Sequence, residues 1–210
     1  MESNAKKIAE YLLQIKAIKL QPSNPFTWAS GWKSPIYCDN RKTLSFPEVR
    51  SFIRDSFVSL LKSSYPEAEL IAGVATGAIS HGALVADKLE LPFVYVRSGA
   101  KEHGLGNRIE GYFTSGQKVV VIEDLISTGG SSLNAVRALR DAGCNVLGMA
   151  AIFTYEFKRA SDAFSAENVT LNTLSNYSVL IETALNTGYI TVADLETLKL
   201  WRVDPSKWGV

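Results

Sequence analysis

Residues 119–132 constrain the fold of this chain more than any other part of its sequence. They begin with four consecutive aliphatic residues, 119–122, and this run lacks the polar and apolar alternation that is typical of a strand with one face in water. The run predicts a strand that is buried on both faces, as in a parallel sheet flanked by helices. Because ligands of such sheets bind beyond the carboxyl ends of the strands, the residues that follow are the first candidates for a functional site.

The residues after this predicted strand combine two acids with a small polar turn. Glu123 and Asp124 come first, and residues 127–131, Ser-Thr-Gly-Gly-Ser, precede a helix that is predicted to begin near Ser131 or Ser132. Backbone N–H groups at a helix N-terminus, together with hydroxyl groups, form a favourable site for phosphate. The acids would repel that phosphate, so we expect them to accept hydrogen bonds from the hydroxyls of a ribose whose 5-phosphate lies in the turn. The alternative is a buried strand followed by an ordinary glycine turn.

The familiar nucleotide-binding loops do not explain this segment, because neither Gly-x-x-x-x-Gly-Lys nor Gly-x-Gly-x-x-Gly follows the strand. The segment instead resembles the signature of type I phosphoribosyltransferases, enzymes that use phosphoribosyl pyrophosphate. The resemblance implies that Asp124 also takes part in catalysis and that Ser127 also contacts the base. It further implies that phosphoribosyl pyrophosphate is bound by Glu123, Asp124, Leu125, Ile126, Ser127, Thr128, Gly129, Gly130 and Ser131.

A second segment, residues 26–39, carries four aromatic residues and is too aromatic for a plain linker. Taken alone, it could equally be a strand pair that packs on a core. Its Phe-Thr-x-x-Ser-Gly-x-x-Ser-Pro-x-Tyr pattern is similar to that of the orotate phosphoribosyltransferases, in which it forms part of a hood over the base site. The resemblance implies such a hood here, contributed by about residues 1–45. Ala29 stands where many relatives carry a lysine that reaches the ligands, and Lys33 does not occupy that position.

Residues 73–80 repeat the sequence of strand, small turn and helix in a weaker form. The resemblance implies that this turn contacts pyrophosphate. Thr76 and Gly77 occupy positions where some relatives have an aromatic residue and a lysine, so we expect only backbone amides to be available here. His81 lies just inside the following helix, where a lone histidine is more often a packing or surface residue than a ligand, and we assign it no role.

Residues 97–111 carry Arg97, Lys101, His103 and Arg108 among four glycines and few apolar residues. A solvated charged loop would explain this composition. A glycine-hinged lid over a site for a pyrophosphate leaving group would also explain it, because such a site needs concentrated positive charge and exclusion of water. The resemblance implies that Arg97, Lys101 and His103 bind phosphoribosyl pyrophosphate and that Lys101 and His103 are also catalytic. Ser98 stands where many relatives have a further basic residue.

Buried strands predicted near residues 70, 93, 119 and 146 alternate with helices. This alternation predicts an α/β fold with a mostly parallel central sheet flanked by helices, and the length favours a single domain over residues 1–210. Helices are predicted with Ser3 as a cap, from Ser45 with Pro47 in the first turn, over residues 177–186, and after Thr191 in a capping box with Asp194.

Four aromatic or basic residues in the last third of the sequence bear on the base site or on the core. Tyr155 stands where relatives place a base-contacting arginine, and Arg159 is not its substitute by alignment. Trp201 and Trp208 are expected to be core or interface residues rather than platforms for a ligand.

Composition argues against several classes of partner. Lys and Arg number 22 against 21 Asp and Glu, so the net charge of +1 provides no bulk attraction to nucleic acid or to a membrane surface. The N-terminus lacks the features of a signal peptide and no apolar run has the length of a membrane span, so a cytoplasmic location is predicted.

Cys38 and Cys144 belong to no Cys-x-x-Cys pair and are interpreted as free thiols.

The resemblance implies the transfer of ribose 5-phosphate from phosphoribosyl pyrophosphate to orotate, which yields orotidine 5′-monophosphate and pyrophosphate in pyrimidine biosynthesis. It also implies Mg²⁺ as a cofactor held mainly through the substrate's oxygens, and a homodimer in which each lid reaches into the partner's site. Two other functions stay open at this point. One is transfer to another base, and the other is a regulator that binds nucleic acid and senses phosphoribosyl pyrophosphate.

Overall fold

The computed structural model of the chain describes residues 3–28, 31–97, 99 and 108–208. Helix α1 (Asn4–Gln14) begins after Ser3, whose hydroxyl accepts a hydrogen bond from the Lys6 N–H at 3.4 Å, as the capping prediction required. Four short strands follow: β1 (Ile18–Leu20), β2 (Phe26–Thr27), β3 (Lys33–Ser34) and β4 (Ile36–Cys38). Strand β1 pairs antiparallel with β4, and β2 pairs antiparallel with β3, so the aromatic segment forms paired strands.

A 3₁₀ helix, Asn40–Ser45, connects these strands to helix α2 (Pro47–Ser64). Pro47 lies in the first turn of α2 as predicted, but Ser45 does not open the helix. Ser45 is the last residue of the 3₁₀ helix, and the N-cap position of α2 is taken by Phe46, which makes no side-chain capping bond.

The central sheet has six strands: β5 (Leu70–Val74), β6 (Phe93–Val96), β7 (Ile109–Glu110), β8 (Lys118–Ile126), β9 (Asn145–Thr154) and β10 (Leu171–Asn176). Their order across the sheet is β10-β9-β8-β5-β6-β7. Only β7, at one edge, runs antiparallel to its neighbour, so the predicted α/β fold with a mostly parallel sheet is confirmed.

Five further helices complete the described fold: α3 (Ile79–Leu89), α4 (Gly130–Asp141), α5 (Lys158–Ala166), α6 (Tyr177–Asn186) and α7 (Val192–Val203). Helix α4 begins at Gly130, slightly earlier than predicted, and α6 has the predicted bounds. The capping box of Thr191 and Asp194 at the start of α7 is present.

The aliphatic run of β8 separates two hydrophobic cores. Val120 and Ile122 belong to the core beneath α1, α2, α3, α6 and α7, whereas Val119 and Val121 belong to the core beneath α4 and α5. All four side chains are 0% exposed. The prediction of a strand buried on both faces is therefore confirmed.

An aromatic cluster packs the N-terminal strands against the carboxyl-terminal part of the chain. The Trp28 ring lies 5.2 Å from Tyr155 and 5.6 Å from Trp201, and its Nε1 donates to the Ile36 carbonyl at 3.0 Å. Trp201 is fully buried, which confirms it as a core residue, and Trp208 is partly buried against the same core. In the part of the chain that the structure describes, no helix has both the length and the apolarity to cross a membrane.

Candidate active site

A polar cleft of about 320 Å³ lies at the carboxyl ends of β5 and β8. One wall comes from the segment that follows β4, a second from the turn between β5 and α3, and a third from the end of β8 with the start of α4. These three segments contribute Cys38, Asp39, Arg41, Val74, Ala75, Thr76, Gly77, Glu123, Asp124, Leu125 and Ser131. The cleft therefore joins three sequence segments that are far apart in the chain.

The phosphate loop, residues 127–131, connects β8 to α4. Gly129 is the N-cap residue with a φ of 82°, and a Cβ atom added there would meet Phe164 Cε2 at 2.9 Å. Both the backbone conformation and the neighbouring ring therefore require glycine. No side chain among the described residues caps α4, so the N–H groups of its first turn are available to an anion.

Leu125 and Ile126, which were predicted to belong to the binding stretch, are the last two residues of β8. The Leu125 side chain lines the cleft. The Ile126 side chain is fully buried in the core, so only the backbone of this residue can reach a ligand.

The Glu123 carboxyl group is buried beneath the start of α4. One of its oxygens accepts a hydrogen bond from the Ser132 hydroxyl at 2.8 Å, and the other accepts one from the Asp124 N–H at 3.0 Å. Burial and the adjacent Asp124 raise the pKa of Glu123 well above its usual range. Its immediate surroundings therefore favour the protonated acid when no ligand is bound.

Asp124 is half-buried, and its carboxylate faces the turn between β5 and α3. A Cβ atom added at Gly77 would overlap this carboxylate, so the Asp124 side chain occupies the space that a larger residue 77 would need. The main-chain oxygen of Asp124 accepts a hydrogen bond from Asn40 Nδ2 at 2.6 Å.

A buried polar network holds Asn40 in place against β8. The Thr43 hydroxyl donates to the Asn40 carbonyl at 2.6 Å, and it lies 3.1 Å from His81 Nε2. Because the hydroxyl proton is used on Asn40, the His81 Nε2–H is the donor in the second contact. Burial lowers the pKa of His81. The histidine is thus a buried packing residue, and its polar contact leads through Thr43 and Asn40 to Asp124.

Basic side chains border the cleft on two sides. Arg41 lines the main cleft itself. Arg97 and Arg108 line a smaller adjoining cavity of about 60 Å³, and this cavity shares Ala75 and Ser131 with the main cleft. Arg97 N–H donates to the Arg108 carbonyl at 2.8 Å, so the two residues flank the base of the predicted lid.

Other predicted positions lie away from the cleft or outside the described residues. Lys101 and His103, with Ser98 and Ala29, fall among the residues that the structure does not describe. Lys33 Nζ donates to the Thr27 hydroxyl at 2.9 Å and does not line the cleft. Tyr155 is buried in the aromatic cluster, and Arg159 lines a separate cavity of about 240 Å³ near Thr128.

Sequence reasoning did not identify Asn40, Arg41 and Arg108. The polar triplet Asp39-Asn40-Arg41 directly follows the aromatic segment and was the available signal for the first two. Their proximity to Asp124 depends on the 3₁₀ helix that packs against β8, and no periodicity in the sequence indicates such a helix. Arg108 was counted among the basic residues of the lid but received no role.

Three carboxyl groups, those of Asp39, Glu123 and Asp124, line the cleft. Within the described residues, however, no group of three or more His, Cys, Asp or Glu side chains is arranged to hold a metal ion. A metal ion in this cleft would therefore need ligands from a substrate.

Comparison with known proteins agrees with this geometry. The model of the phosphoribosyl transferase domain matches residues 53–186. The orotate phosphoribosyltransferase of Bacteroides fragilis is 59% identical over 208 residues, which are 99% of this chain and 98% of that protein. The orotate phosphoribosyltransferase of Listeria innocua is 59% identical over 204 residues, which are 97% of this chain and 98% of that protein.

The crystal structure of orotate phosphoribosyltransferase from Aeropyrum pernix superimposes on this fold with a TM-score of 0.77. It is 26% identical in sequence, and the match covers 88% of this chain and 99% of that one. The matches with the two bacterial relatives cover 99% and 97% of this chain. The chain therefore belongs to the phosphoribosyltransferase family, among the orotate phosphoribosyltransferases.

Proposed function

We propose that this protein transfers the ribose 5-phosphate group of phosphoribosyl pyrophosphate to orotate, with release of pyrophosphate. The observation that carries the proposal is the cleft, in which an uncapped helix start, two adjacent acids and the aromatic N-terminal segment meet. This arrangement offers one site for a phosphate, one for a ribose diol and one for a base. The names and high identity of the bacterial relatives support orotate as that base.

The proposed orientation of phosphoribosyl pyrophosphate follows from the charges of the cleft. The 5-phosphate binds the phosphate loop, residues 127–131, and the ribose hydroxyls donate to Asp124 and Glu123. The pyrophosphate group then points towards the turn at residues 75–77 and towards Arg97. Lys101 and His103 of the lid complete the binding of this group.

The base lies on the side of the N-terminal strands, where Ser127 contacts it from the phosphate loop. As the bond from C1 of the ribose to the pyrophosphate oxygen breaks, C1 gains positive charge and the leaving group gains negative charge. Lys101 and His103 stabilise the leaving group, and this contribution raises the rate because it is larger in the transition state than in the ground state.

Phosphoribosyltransferases generally use Mg²⁺ to bind phosphoribosyl pyrophosphate. In this chain the ion would be held mainly through the oxygens of the substrate, because the described residues offer no group of three or more side chains for a metal ion. When bound, Mg²⁺ would supply positive charge that stabilises the pyrophosphate as it leaves.

The test is an assay of the purified protein with phosphoribosyl pyrophosphate, Mg²⁺ and one base at a time. Orotate should be converted to orotidine 5′-monophosphate, and uracil, adenine and hypoxanthine should be poor substrates. Asp124→Asn should fold normally and weaken both turnover and phosphoribosyl pyrophosphate binding, because it removes a charged acceptor from the ribose diol. Faster turnover of another base would contradict the proposed specificity, and binding of phosphoribosyl pyrophosphate without turnover of any base would favour a regulator.

A further inference from the structure

The charges of the cleft do not match the charges of its proposed substrates. Asp39 and Asp124 contribute carboxylates, Glu123 is a third acid whose burial favours its protonated form, and Arg41 is the single basic residue among the described residues that line the cleft. Phosphoribosyl pyrophosphate and orotate are both anions. The position and bonding of Arg41 therefore determine where a second anionic group can be accepted.

Arg41 is oriented by one partner and leaves most of its donors available. Its Nε donates to Asp39 Oδ1 at 2.7 Å. No described residue accepts a hydrogen bond from its two terminal nitrogens, and its side chain is 62% exposed. A guanidinium group that is fixed through Nε presents its terminal nitrogens side by side, which is the geometry that binds a carboxylate through two parallel hydrogen bonds.

The backbone that carries Arg41 is held firmly. The preceding residue, Asn40, donates to the Asp124 carbonyl at 2.6 Å, and Thr43 in the same 3₁₀ helix contacts His81. Arg41 is thus attached to the wall that also presents the proposed ligand of the ribose diol. A ligand contact made by Arg41 is therefore placed in a fixed relation to the sugar.

Arg97 and Arg108 do not line the same cavity as Arg41. Arg97 and Arg108 border the adjoining cavity beyond Ala75 and Ser131, which is the end assigned above to pyrophosphate. Arg41 lies with Cys38 and Asp39 on the side of the N-terminal strands. The anionic group left for that side is the carboxylate of the base.

We propose that Arg41 binds the carboxylate of orotate through its two terminal nitrogens and thereby selects a carboxylated pyrimidine over uracil. This inference rests on the proposed function, because it takes orotate as the base. The selection is physical: uracil has no group to pair with the guanidinium, which then stays oriented by Asp39 and gains nothing from the ligand.

The test compares two nucleotides that differ only in this carboxylate. Orotidine 5′-monophosphate and uridine 5′-monophosphate are titrated against the full-length protein, with binding followed by calorimetry. The wild type should prefer orotidine 5′-monophosphate. Arg41→Gln should lower its affinity for that nucleotide by about 10-fold to 100-fold, as expected for loss of a charged hydrogen-bonded pair, and should leave uridine 5′-monophosphate within about twofold. The affinity of Arg41→Lys for orotidine 5′-monophosphate should lie between those of the wild type and Arg41→Gln, because lysine keeps the charge but not the paired donors.

Arg54→Gln is the matched control. Arg54 Nε donates to Asp55 Oδ1 at 2.8 Å on α2, so this variant removes a similar local ion pair away from the cleft. It should bind both nucleotides as the wild type does, and thermal unfolding of all variants should confirm that they are folded.

Two results would overturn the inference. In the first, Arg41→Gln keeps the preference for orotidine 5′-monophosphate. In the second, it loses affinity for pyrophosphate and phosphoribosyl pyrophosphate while the ratio between the two nucleotides is unchanged, which would assign Arg41 to the leaving group. Failure of the proposed function would appear separately, as a wild-type protein that forms no orotidine 5′-monophosphate in the turnover assay.

Discussion

Glu123 and Asp124 are neighbours in the chain, but their carboxyl groups lie in different surroundings. Glu123 is buried and hydrogen-bonded to Ser132, whereas Asp124 is half-buried beside Gly77 at the cleft. The strand before them and the turn after them made both acids predictable as site residues. Their difference was not predictable, because it depends on how the start of α4 and the turn at residue 77 pack around them.

The raised pKa of Glu123 has a definite effect on stability. In the folded protein this pKa lies above its ordinary value, so the folded state holds the proton at a pH where the unfolded chain has released it. The stability from this group is fully present below the ordinary glutamate pKa of about 4.3 and is lost as the pH rises through the folded-state value.

Glu123→Gln should therefore raise the unfolding temperature, because glutamine cannot ionise. The gain over wild type should be close to zero near pH 4 and should grow as the pH rises to 8, where it should reach about 2–4 °C, the shift that roughly 1 kcal/mol produces in a domain of this size. Thermal unfolding across this pH range measures it. Glu182→Gln, which alters an exposed glutamate on α6, controls for general loss of a carboxylate. Destabilisation by the same amount at every pH would show that folding does not raise the pKa of Glu123.

At the scale of elements, the sequence predicts a helix or strand best when the residues that define it lie close together in the chain. Helix α6 and the capping box of α7 depend on residues close in the chain, and both have the predicted positions. Strand β10 and helix α5 were not predicted. Residues 171–176 alternate apolar and polar side chains only weakly at the edge of the sheet, and their pairing with β9 supplies the order that their own sequence does not indicate.

The 3₁₀ helix, Asn40–Ser45, is the element that connects the N-terminal strands to Asp124. Thr43→Val keeps the shape of the side chain but leaves the Asn40 carbonyl and His81 Nε2 without their buried partner. We expect it to lower the free energy of unfolding by about 1–3 kcal/mol, measured with urea. It should also lower kcat/KM for phosphoribosyl pyrophosphate by roughly 10-fold, because Asn40 would hold Asp124 less firmly.

Thr43→Ser is the matched control for this prediction. It keeps the hydroxyl and removes one methyl group, so it should restore most of the activity even if some stability is lost. Equal loss of activity in both variants would mean that packing at position 43 matters and the hydrogen bonds do not.

At the scale of the whole molecule, the two cores on either side of the sheet fix where the site can be. Residues 119–122 made the sheet and its buried faces predictable, and the site at the strand ends followed from that arrangement. Which residues line the cleft was not predictable in the same way. Cys38, Val74 and Ser131 line one cleft although they come from three distant segments, and only the packing of the folded chain brings them together.

The predicted lid, between Arg97 and Arg108, raises a question about assembly. Arg97 and Arg108 flank its base, and the sequence between them is rich in glycine and poor in apolar residues that could anchor it. Ordering such a segment over any site carries a large entropic penalty, which contacts with a second subunit would help to offset. We propose a two-fold homodimer in which each lid completes the partner's site, since that symmetry makes the exchange reciprocal.

Mixing two inactive variants tests this assembly. Lys101→Ala removes a lid charge and Asp124→Asn removes the acid of the diol site, so each variant alone should have little activity. After dissociation and random reassociation of an equal mixture, about half of the dimers contain one subunit of each kind. If the lid acts on the partner, each mixed dimer has one site with both groups intact, and activity should return to about a quarter of wild type. If each lid serves its own subunit, both sites of every mixed dimer are defective, and activity should stay at the level of the separate variants carried through the same reassociation.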